Sequence, residues 1–300
     1  MAILALYPHA KTLHAALAER EHYETAAFSL SPGSAESVKQ EITSWLSSFQ
    51  ADLQFIVTND AAAEPVKSLA QLLAVRVHTI DPASSDACCP LAEVTGTPAI
   101  KRSCSADAFI FRYMVRQEAR AKGLDLGQEQ FIAAHLDEVH QFGALQGEAV
   151  ADALTSFDEG PFALRHSGGL PFDSVLDLCM AADTREEVLE LLHEQGGLAG
   201  YLGLDNLEDL WSCTGEKADA VREALVYQIS KEIGALAAVL KGQVRSILLG
   251  GELVRYEPFV EALRERIGFI APISVYPGNQ GLPALLAGAQ RILEIQGKGV

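Results

Sequence analysis

Residues 158–203 constrain the fold more than any other part of this 300-residue chain. Glycine and proline recur there among apolar residues, in the groups Gly160-Pro161-Phe162, Ser167-Gly168, Leu170-Pro171, Gly196-Gly197-Leu198 and Tyr201-Leu202-Gly203. Glycine allows backbone conformations and close approaches that other residues do not, and proline interrupts helices and strands. We interpret most of these residues as turn and packing positions. Their spacing therefore predicts a particular fold and not, by itself, an activity.

The composition and charge exclude several kinds of partner. With 49% hydrophobic and 21% charged residues, the chain can bury the core of one large or two medium globular domains. A net charge of -17 argues against a nucleic-acid partner, because affinity for the phosphate backbone depends on clustered lysine and arginine. The apolar run at residues 233–240 is too short to span a bilayer, and residues 1–10 lack the positive charge of a secretory signal. We expect a cytoplasmic protein with no membrane partner.

The cysteines do not follow the spacing of a disulfide framework or a metal centre. There are five of them, at Cys88, Cys89, Cys104, Cys179 and Cys213. The number is odd, no CxxC motif occurs, and no histidine lies at ligand spacing, so we predict neither disulfides nor a bound metal. A redox-active role for the adjacent Cys88 and Cys89 remains open beside the simpler interpretation as buried or incidental thiols.

The order of apolar runs and amphipathic stretches predicts an α/β protein with two similar halves. The first half is predicted as strands at 3–6, 13–17 and 23–28, a helix at 35–48, a strand at 53–57, a helix at 64–74 and a strand at 76–80. After a long helix at 106–122, the pattern repeats with strands at 129–136, near 144–150 and at 244–250, helices at 173–181, 184–194 and 217–240, and a closing helix at 282–293. We expect a first domain at 1–124, a second at 125–281, a cleft between them, and the C-terminal helix 282–300 packing on the first domain.

The segment 158–203, with the sequences DEGPFALRHSGGLPFDSVLDLC and GGLAGYLG, resembles butyrate kinases of the acetate kinase/actin-like ATPase superfamily. This resemblance implies a two-domain actin-like ATPase fold, which is ribonuclease H-like, with a five-stranded sheet in each half. An active member of the family would use ATP and magnesium to convert a short-chain carboxylic acid into an acyl phosphate such as butyryl phosphate. The resemblance also implies a homodimer formed through the second domain.

The first phosphate-binding hairpin of the family reads N-P-G-S-T-S-T-K, and this chain retains only its proline, Pro8. Tyr7, His9, Ala10 and Lys11 occupy the neighbouring positions. In the family pattern, small residues let backbone N–H groups approach a phosphate closely. His9 and Lys11 could still attract an anion, but a solvated turn is the favoured interpretation.

The second phosphate segment of the family, H-L-G-G-G, is matched by His135 and Leu136 and then by Asp137, Glu138 and Val139. His135 is the retained candidate for nucleotide binding. Two carboxylates in place of glycines would repel a polyphosphate, since each like-charge contact at about 4 Å costs on the order of several kcal/mol in a partly screened site. Metal binding by the two carboxylates remains open, although adjacent strand residues face opposite sides of a sheet.

The catalytic positions of the family are only partly matched. Asp81 corresponds to an aspartate at the end of a strand that acts as base or metal anchor, and an Asp-Pro turn is an equally good interpretation of the local sequence. Arg102 follows Gly96 and Pro98 at the family's spacing, which makes it a candidate for phosphoryl transfer. The later positions that the family fills with serine, histidine and asparagine hold Cys104, Asp107 and Ile110.

A further catalytic arginine of the family is displaced in this chain. In the pattern P-F-x-x-x-R-S-G its position is held by His166, and Arg165 lies one residue earlier. A shift of one residue on an extended segment reverses the direction of the side chain, so Arg165 is a poor replacement. In addition, the segment that frames the carboxylate substrate with an arginine is missing after Val57.

Two turns near the C-terminus match nucleotide-binding positions of the family. Gly250 and Gly251 correspond to a glycine pair beneath adenosine, and Pro277 and Gly278 to the turn before the last helix. The acidic residues that follow this turn in the superfamily are replaced here by Asn279 and Gly281.

Taken together, these residues predict a butyrate kinase-like protein that is catalytically impaired, a pseudokinase with a regulatory or ligand-binding role. The ligand would be a small carboxylate or a nucleotide, and the protein a homodimer. The alternative is an active carboxylate kinase with ATP and magnesium as cofactors, and a structural subunit of an assembly is a third possibility. An active kinase needs phosphate-binding loops, whereas a pseudokinase needs only a cleft and an interaction surface.

Overall fold

The computed structural model describes residues 2–19, 22–30, 35–49, 51–81, 88–104 and 106–297. The chain divides into two compact units. The first contains Met1–Ser85 and Gln280–Val300, and the second contains Asp86–Asn279.

The first unit is built on a five-stranded sheet. Its strands are β1 (Ala2–His9), β2 (Thr12–Glu19), β3 (His22–Ser29), β4 (Leu53–Thr58) and β5 (Arg76–Thr79), in the spatial order β3-β2-β1-β4-β5. The first three strands are antiparallel, and β4 and β5 run parallel to β1. The central strand β1 is almost entirely buried because it is covered on both faces, which explains its continuous apolar sequence. Helices α1 (Ala35–Ser47) and α2 (Glu64–Leu73) complete this unit together with the C-terminal helix, which packs on β1.

The second unit repeats this arrangement. Its strands are β6 (Gln130–Leu136), β7 (His140–Gln146), β8 (Ala149–Thr155), β9 (Ser246–Gly251) and β10 (Ile273–Pro277), in the spatial order β10-β9-β6-β7-β8. β6, β7 and β8 are antiparallel neighbours, whereas β9 runs parallel to β6 and β10 parallel to β9. The carboxyl ends of β6, β9 and β10 therefore meet at one edge of the sheet.

The second unit also contains several helices. They are α3 (Ala108–Lys122), α4 (Phe172–Ala181), α5 (Arg185–His193), α6 (Gly197–Leu202), α7 (Glu216–Val239) and α8 (Glu257–Ile267), and the C-terminal helix of the chain is α9 (Gly281–Ile295). Helix α3 packs on β6 and β9, and α7 packs on β6, β7 and β8. The apolar stripe of α7, at Val221, Leu225, Ile229, Ile233 and Leu236, is buried inside this unit.

The predicted α/β class and its two successive five-stranded halves are confirmed. The single strand predicted near 144–150 is wrong: β7 and β8 are separate strands joined by a turn at Gly147, which has a φ of +59°. The sequence also missed α6, α8 and β10, since short or mixed apolar runs do not show a clear period.

The division of the chain differs from the expected boundary after residue 124. Residues 86–124 belong to the second unit, because α3 packs on that unit's sheet. Separately, none of the helices in the described part of the chain has the length and apolar character required to cross a membrane.

Candidate functional site

The parallel strands of the second unit bring several predicted site residues to one edge of the sheet. Gly250 and Gly251 end β9, and Pro277 ends β10 beside them. His135 is the next-to-last residue of β6 and pairs with Gly250. We call the residues just beyond these strands the strand-end cluster, which consists of Asp137, Gly250, Gly251, Glu252, Pro277, Gly278 and Asn279. In α/β proteins, ligands bind at this kind of edge.

Glycine is required at two positions of the strand-end cluster because other strands approach closely. Gly251 has a φ of +100°, and a Cβ there would lie 2.3 Å from the carbonyl oxygen of Leu136. The Gly251 N–H donates to the Gly278 carbonyl at 3.1 Å, and the Gly278 N–H donates back to Gly251 at 2.9 Å. Gly278 also has a positive φ, +86°. These contacts hold the ends of β9 and β10 together.

Asp137 is a buried carboxylate at the end of β6. Only 5% of its surface is exposed. One of its oxygens accepts from the Glu138 N–H at 2.9 Å, and the other accepts from Asn279 Nδ2 at 3.0 Å. The Asn279 N–H in turn donates to Glu252 Oε1 at 3.1 Å, and Glu252 Oε2 accepts from Arg255 Nε at 2.5 Å. Asn279 thus links two carboxylates, of which Glu252 is paired with Arg255 and Asp137 stands at a position that the family pattern fills with glycine.

His135 lies inside the sheet and not at the open edge. It is fully buried on the same side of the sheet as α3. A Cβ on Gly250 would lie 3.3 Å from His135 Cδ2 and 3.1 Å from Met114 Sδ, so Gly250 leaves room for both side chains. This packing explains the combination of a histidine on β6 with a glycine opposite it on β9.

His140, at the start of β7, is a buried titratable residue that the sequence did not single out. Its side chain is fully buried. Burial lowers the pKa of His140 from 6.5 to about 3, although the nearby Asp137 opposes this shift. His166 and His135 lower it further. Only its burial in the fold reveals this neutral imidazole, because the sequence shows merely that His135 and His140 are five residues apart.

Arg102 is held by acidic side chains on and after β8. Its Nη1 donates to Asp152 Oδ1 at 2.5 Å, its Nε donates to Glu159, and its Nη2 donates to the Ala153 carbonyl at 3.0 Å. Burial alone would lower the pKa of Arg102, but the hydrogen bonds to Asp152 and Glu159 raise it above its ordinary value. The guanidinium is therefore charged and doubly paired.

Arg165 and His166 are adjacent in sequence but contact different groups. Arg165 Nη2 donates to Asp205 Oδ1 at 3.2 Å on the protein surface. His166 is 7% exposed and packs edge-on against Phe157, with ring centroids 4.2 Å apart, and near His193 at 5.6 Å. The two side chains do not converge on one point.

The predicted site residues of the first unit lie at its own strand ends. Asp81 follows β5 with a φ of +39°, and the N–H of the preceding Ile80 donates to the Thr58 carbonyl at 2.8 Å. Tyr7 is fully buried, and its hydroxyl lies 3.0 Å from His9 Nδ1. A Cβ on Gly281 would lie 2.2 Å from the Tyr7 ring, so this ring fills the space in front of α9.

The turn between β1 and β2 is short. The antiparallel pairing extends to His9 and Thr12, which leaves Ala10 and Lys11 as the turn. Ala10 has a φ of +50°, and the Lys11 carbonyl accepts from the Leu30 N–H at 2.6 Å. The segment that matches the family's first phosphate-binding hairpin is thus a two-residue turn, and the pairing of β1 and β2 extends to both sides of it.

The expectation of no disulfide is wrong for one pair. Cys88 and Cys104 form a disulfide, with Cα atoms 6.1 Å apart, while Cys89, Cys179 and Cys213 are free thiols. The ligand atoms of Cys88, Cys104 and Asp152 lie within 4.8 Å of one another, which makes this the candidate metal group among the described residues. The sequence could not show this pairing because the two cysteines are separated by a loop with no recognisable spacing.

Comparisons with known proteins agree with this architecture. No family model matches the chain. It is 33% identical over 234 residues to a probable butyrate kinase 2 from Caldanaerobacter subterraneus subsp. tengcongensis, covering 77% of this chain and 66% of that protein. It is 34% identical over 233 residues to a probable butyrate kinase from Listeria innocua, covering 76% of this chain and 65% of that protein. The chain therefore spans slightly less than two thirds of the length of these curated relatives.

Solved structures share the fold across nearly the whole chain. An acetate kinase from Porphyromonas gingivalis superposes with a TM-score of 0.76 at 14% identity, covering 97% of this chain and 99% of that one. A propionate kinase from Francisella tularensis gives a TM-score of 0.73 at 12% identity, covering 95% and 98%. The predicted two-domain actin-like ATPase fold is confirmed. This chain belongs, by sequence and by fold, to the butyrate kinase-like proteins of the acetate kinase/actin-like ATPase superfamily.

Proposed function

We propose that this protein is a catalytically impaired butyrate kinase-like protein, which binds a small carboxylate or a nucleotide without efficient phosphoryl transfer. The observation that carries the proposal is the strand-end cluster. Asp137, which stands at a glycine position of the family's second phosphate loop, is buried there and is linked through Asn279 to Glu252. A polyphosphate at this edge would meet negative charge without the backbone N–H groups that a glycine loop provides.

The two candidate arginines of the second unit, Arg102 and Arg165, also support impaired phosphoryl transfer. Phosphoryl transfer depends on positive groups aimed at the transferring phosphate. Arg102 is paired with Asp152 and Glu159, and Arg165 is paired with Asp205. Redirecting Arg102 to a phosphate would leave two carboxylates without their cation. The free energy lost with these ion pairs favours the arrangement in which Arg102 stays bound to Asp152 and Glu159 over one in which it contacts a phosphate.

The N-terminal turn supports the same interpretation from the first unit. In place of a loop of small residues, β1 and β2 pair up to His9 and Thr12, and the Tyr7 ring lies against Gly281. Backbone N–H groups that pair within a sheet do not bind a phosphate. This pairing leaves a two-residue turn at the position of the family's first phosphate-binding hairpin, which supports the proposal.

The alternative is an active carboxylate kinase that forms an acyl phosphate from ATP. It is favoured by the retained glycines Gly250, Gly251 and Gly278, and by Asp81 at the end of β5. The three glycines are themselves buried. They do not supply the missing phosphate contacts.

The decisive measurement is hydroxamate trapping of acyl phosphate with ATP, magnesium and a panel of short carboxylic acids. Each lost electrostatic stabiliser costs about 3 to 4 kcal/mol of barrier, so two independent losses lower the rate by about four to six orders of magnitude. We expect no product above that of an Asp81→Asn variant. Robust product formation that disappears in Asp81→Asn would overturn the proposal and establish the active kinase.

A loop replacement tests separately whether the residues at positions 137–139 are what weakens ATP binding. The triple variant Asp137→Gly, Glu138→Gly, Val139→Gly restores the family's glycine loop. By calorimetry with magnesium and ATP, we expect its affinity to exceed that of the unchanged protein by at least about tenfold. The matched control is Asp173→Asn, which removes one carboxylate from the exposed first turn of α4. Equal affinities in all three proteins would show that these carboxylates are not what excludes ATP.

A homodimer and a location in the cytoplasm complete the proposal. Both features remain predictions.

A further inference from the structure

A loop closed by a disulfide lies against the edge strand of the second sheet. The loop, residues 88–104, begins and ends at the two bonded cysteines. Near one end, the Cys89 N–H donates to the Ala151 carbonyl of β8 at 3.1 Å. At the other end, Arg102 donates to Asp152 and to the Ala153 carbonyl of the same strand. The disulfide joins the two ends of the loop to each other, and these hydrogen bonds hold both ends against β8.

A cation lies beside one sulfur of this disulfide. Arg102 Nη1 is 3.9 Å from Cys104 Sγ, and Asp152 Oδ1 is 4.0 Å from the same sulfur. A neighbouring arginine stabilises a cysteine thiolate, which is the form that attacks and leaves in thiol–disulfide exchange. Cys88 is 6% exposed, whereas Cys104 is only partly buried. The two sulfurs therefore differ in access.

A metal site is a less suitable assignment for this group. Cys88, Cys104 and Asp152 have ligand atoms within 4.8 Å of one another. However, the guanidinium of Arg102 contacts both Asp152 and Cys104. A bound divalent cation would have to displace or repel this fixed positive charge, and Asp152 would have to give up its ion pair. The same guanidinium favours a thiolate.

We propose that Cys88 and Cys104 form a reversible thiol–disulfide exchange site in which Arg102 stabilises the Cys104 thiolate. The redox state of this site determines how firmly the loop 88–104 is held against β8. This inference goes beyond the proposed function, since it does not depend on whether the protein transfers phosphate. The reductant it requires is a dithiol, and the oxidant is the disulfide of a small thiol.

The exchange proceeds in two balanced steps. A thiolate of the dithiol attacks the more accessible sulfur, Cys104 Sγ; the S–S bond breaks, and Cys88 leaves with the electron pair and takes a proton from water. The second thiol of the reductant then loses its proton to water, and the resulting thiolate attacks the reductant sulfur that is bonded to Cys104 Sγ; this S–S bond breaks, and Cys104 leaves as a thiolate beside Arg102. Two electrons pass to the protein and the reductant becomes a cyclic disulfide. In reoxidation, the Cys104 thiolate is the attacking group.

The first test counts thiols in the complete protein. After treatment with oxidised glutathione, alkylation in the unfolded state followed by mass spectrometry should modify three cysteines: Cys89, Cys179 and Cys213. After dithiothreitol it should modify five. Hydrogen exchange in residues 88–104 should be faster in the reduced protein. Five modified cysteines after both treatments, or one equivalent of zinc retained by the reduced protein, would overturn the proposal.

The second test asks whether Arg102 acts on Cys104. In the reduced native protein, the pH at which the alkylation rate of Cys104 is half-maximal should rise by about one unit in Arg102→Gln. It should fall in Asp152→Asn, because this variant removes a negative charge 4.0 Å from the sulfur. The matched control is Arg116→Gln, which breaks the ion pair with Glu148 elsewhere in the second unit.

Opposite shifts in the two variants separate an electrostatic effect from a general loosening of the loop, which would move both midpoints in one direction. Unchanged midpoints in both would contradict the assignment of Arg102. If Arg102→Gln does not fold, Arg102→Lys takes its place: because lysine keeps the positive charge, its midpoint should equal that of the unchanged protein, and a rise of about one unit would contradict the electrostatic role.

Discussion

Individual side chains in the second unit take their charge state from burial as much as from neighbouring charges. Arg102 keeps its charge because two carboxylates compensate for its partial burial. His140 is fully buried beside Asp137 and is nevertheless neutral, because its desolvation outweighs the attraction of that carboxylate. Neither property can be inferred from the residue type. Both affect how the protein responds to pH.

We predict that His140 makes the protein sensitive to acid. Its pKa in the folded state, about 3, lies below its ordinary value of 6.5, so unfolding takes up a proton between these two pH values. The stabilisation is present above pH 6.5 and is lost as the pH falls toward 3, by about 1.4 kcal/mol per pH unit. Urea unfolding of His140→Leu should therefore depend less steeply on pH in this window.

The control for this prediction is His22→Gln, which changes an exposed histidine of β3. Its stability should keep the pH dependence of the unchanged protein. An equally steep dependence in His140→Leu would show that His140 is not the group that takes up the proton.

At the scale of elements, the ends of β9 and β10 show how backbone contacts position the candidate site. Gly251 and Gly278 exchange two hydrogen bonds after the parallel pairing of their strands is complete. This contact needs a positive φ at both residues, and at Gly251 it also needs the absence of a Cβ. The sequence predicted a role for these glycines in nucleotide binding, and the geometry adds a structural role that is independent of any nucleotide.

We expect Gly251→Ala to destabilise the protein by about 3 kcal/mol, because a Cβ would meet the Leu136 carbonyl and the backbone would be strained. Gly203→Ala is the matched control. Gly203 also has a positive φ, +69°, but a Cβ there meets nothing within 4 Å, so its cost should be only about 1 kcal/mol. Urea unfolding measures both. Equal effects of the two substitutions would mean that the close approach to Leu136 does not matter.

At the scale of the whole molecule, the expected homodimer needs an exposed surface. The apolar stripe of α7 does not provide one, because it is buried within the second unit. Helix α4 carries Phe172, Leu176 and Met180 at four-residue spacing, and these side chains are 93%, 60% and 79% exposed. Such a stripe on one helix face is typical of an interaction surface.

We predict a homodimer whose stability depends on this face of α4. Light scattering at micromolar concentration should give the mass of two chains for the unchanged protein and for Asp177→Asn, and a lower average mass for Leu176→Asp. The substitution places a charge in the centre of the stripe without affecting the buried core. A mass of one chain for the unchanged protein would contradict the dimer.

The sequence by itself determined the fold and the family. The spacing of glycine and proline in residues 158–203, together with two successive patterns of strands and helices, predicted two five-stranded halves, because turn geometry and hydrophobic period are local properties. It also identified Gly250, Gly251, Pro277 and Gly278, which the structure brings to one edge of the second sheet, and His135, which it buries inside that sheet.

Only the tertiary structure decided what surrounds the candidate residues. Asp137 meets Asn279 across 142 residues of sequence, and Arg102 meets Asp152 across 50. The Cys88–Cys104 disulfide likewise depends on how residues 88–104 lie against β8. Such contacts join residues whose separation in sequence follows no period, and burial changes the energy of each charge they involve. For this reason, neither the pairing of the cations nor the neutral state of His140 could be derived before the chain was folded.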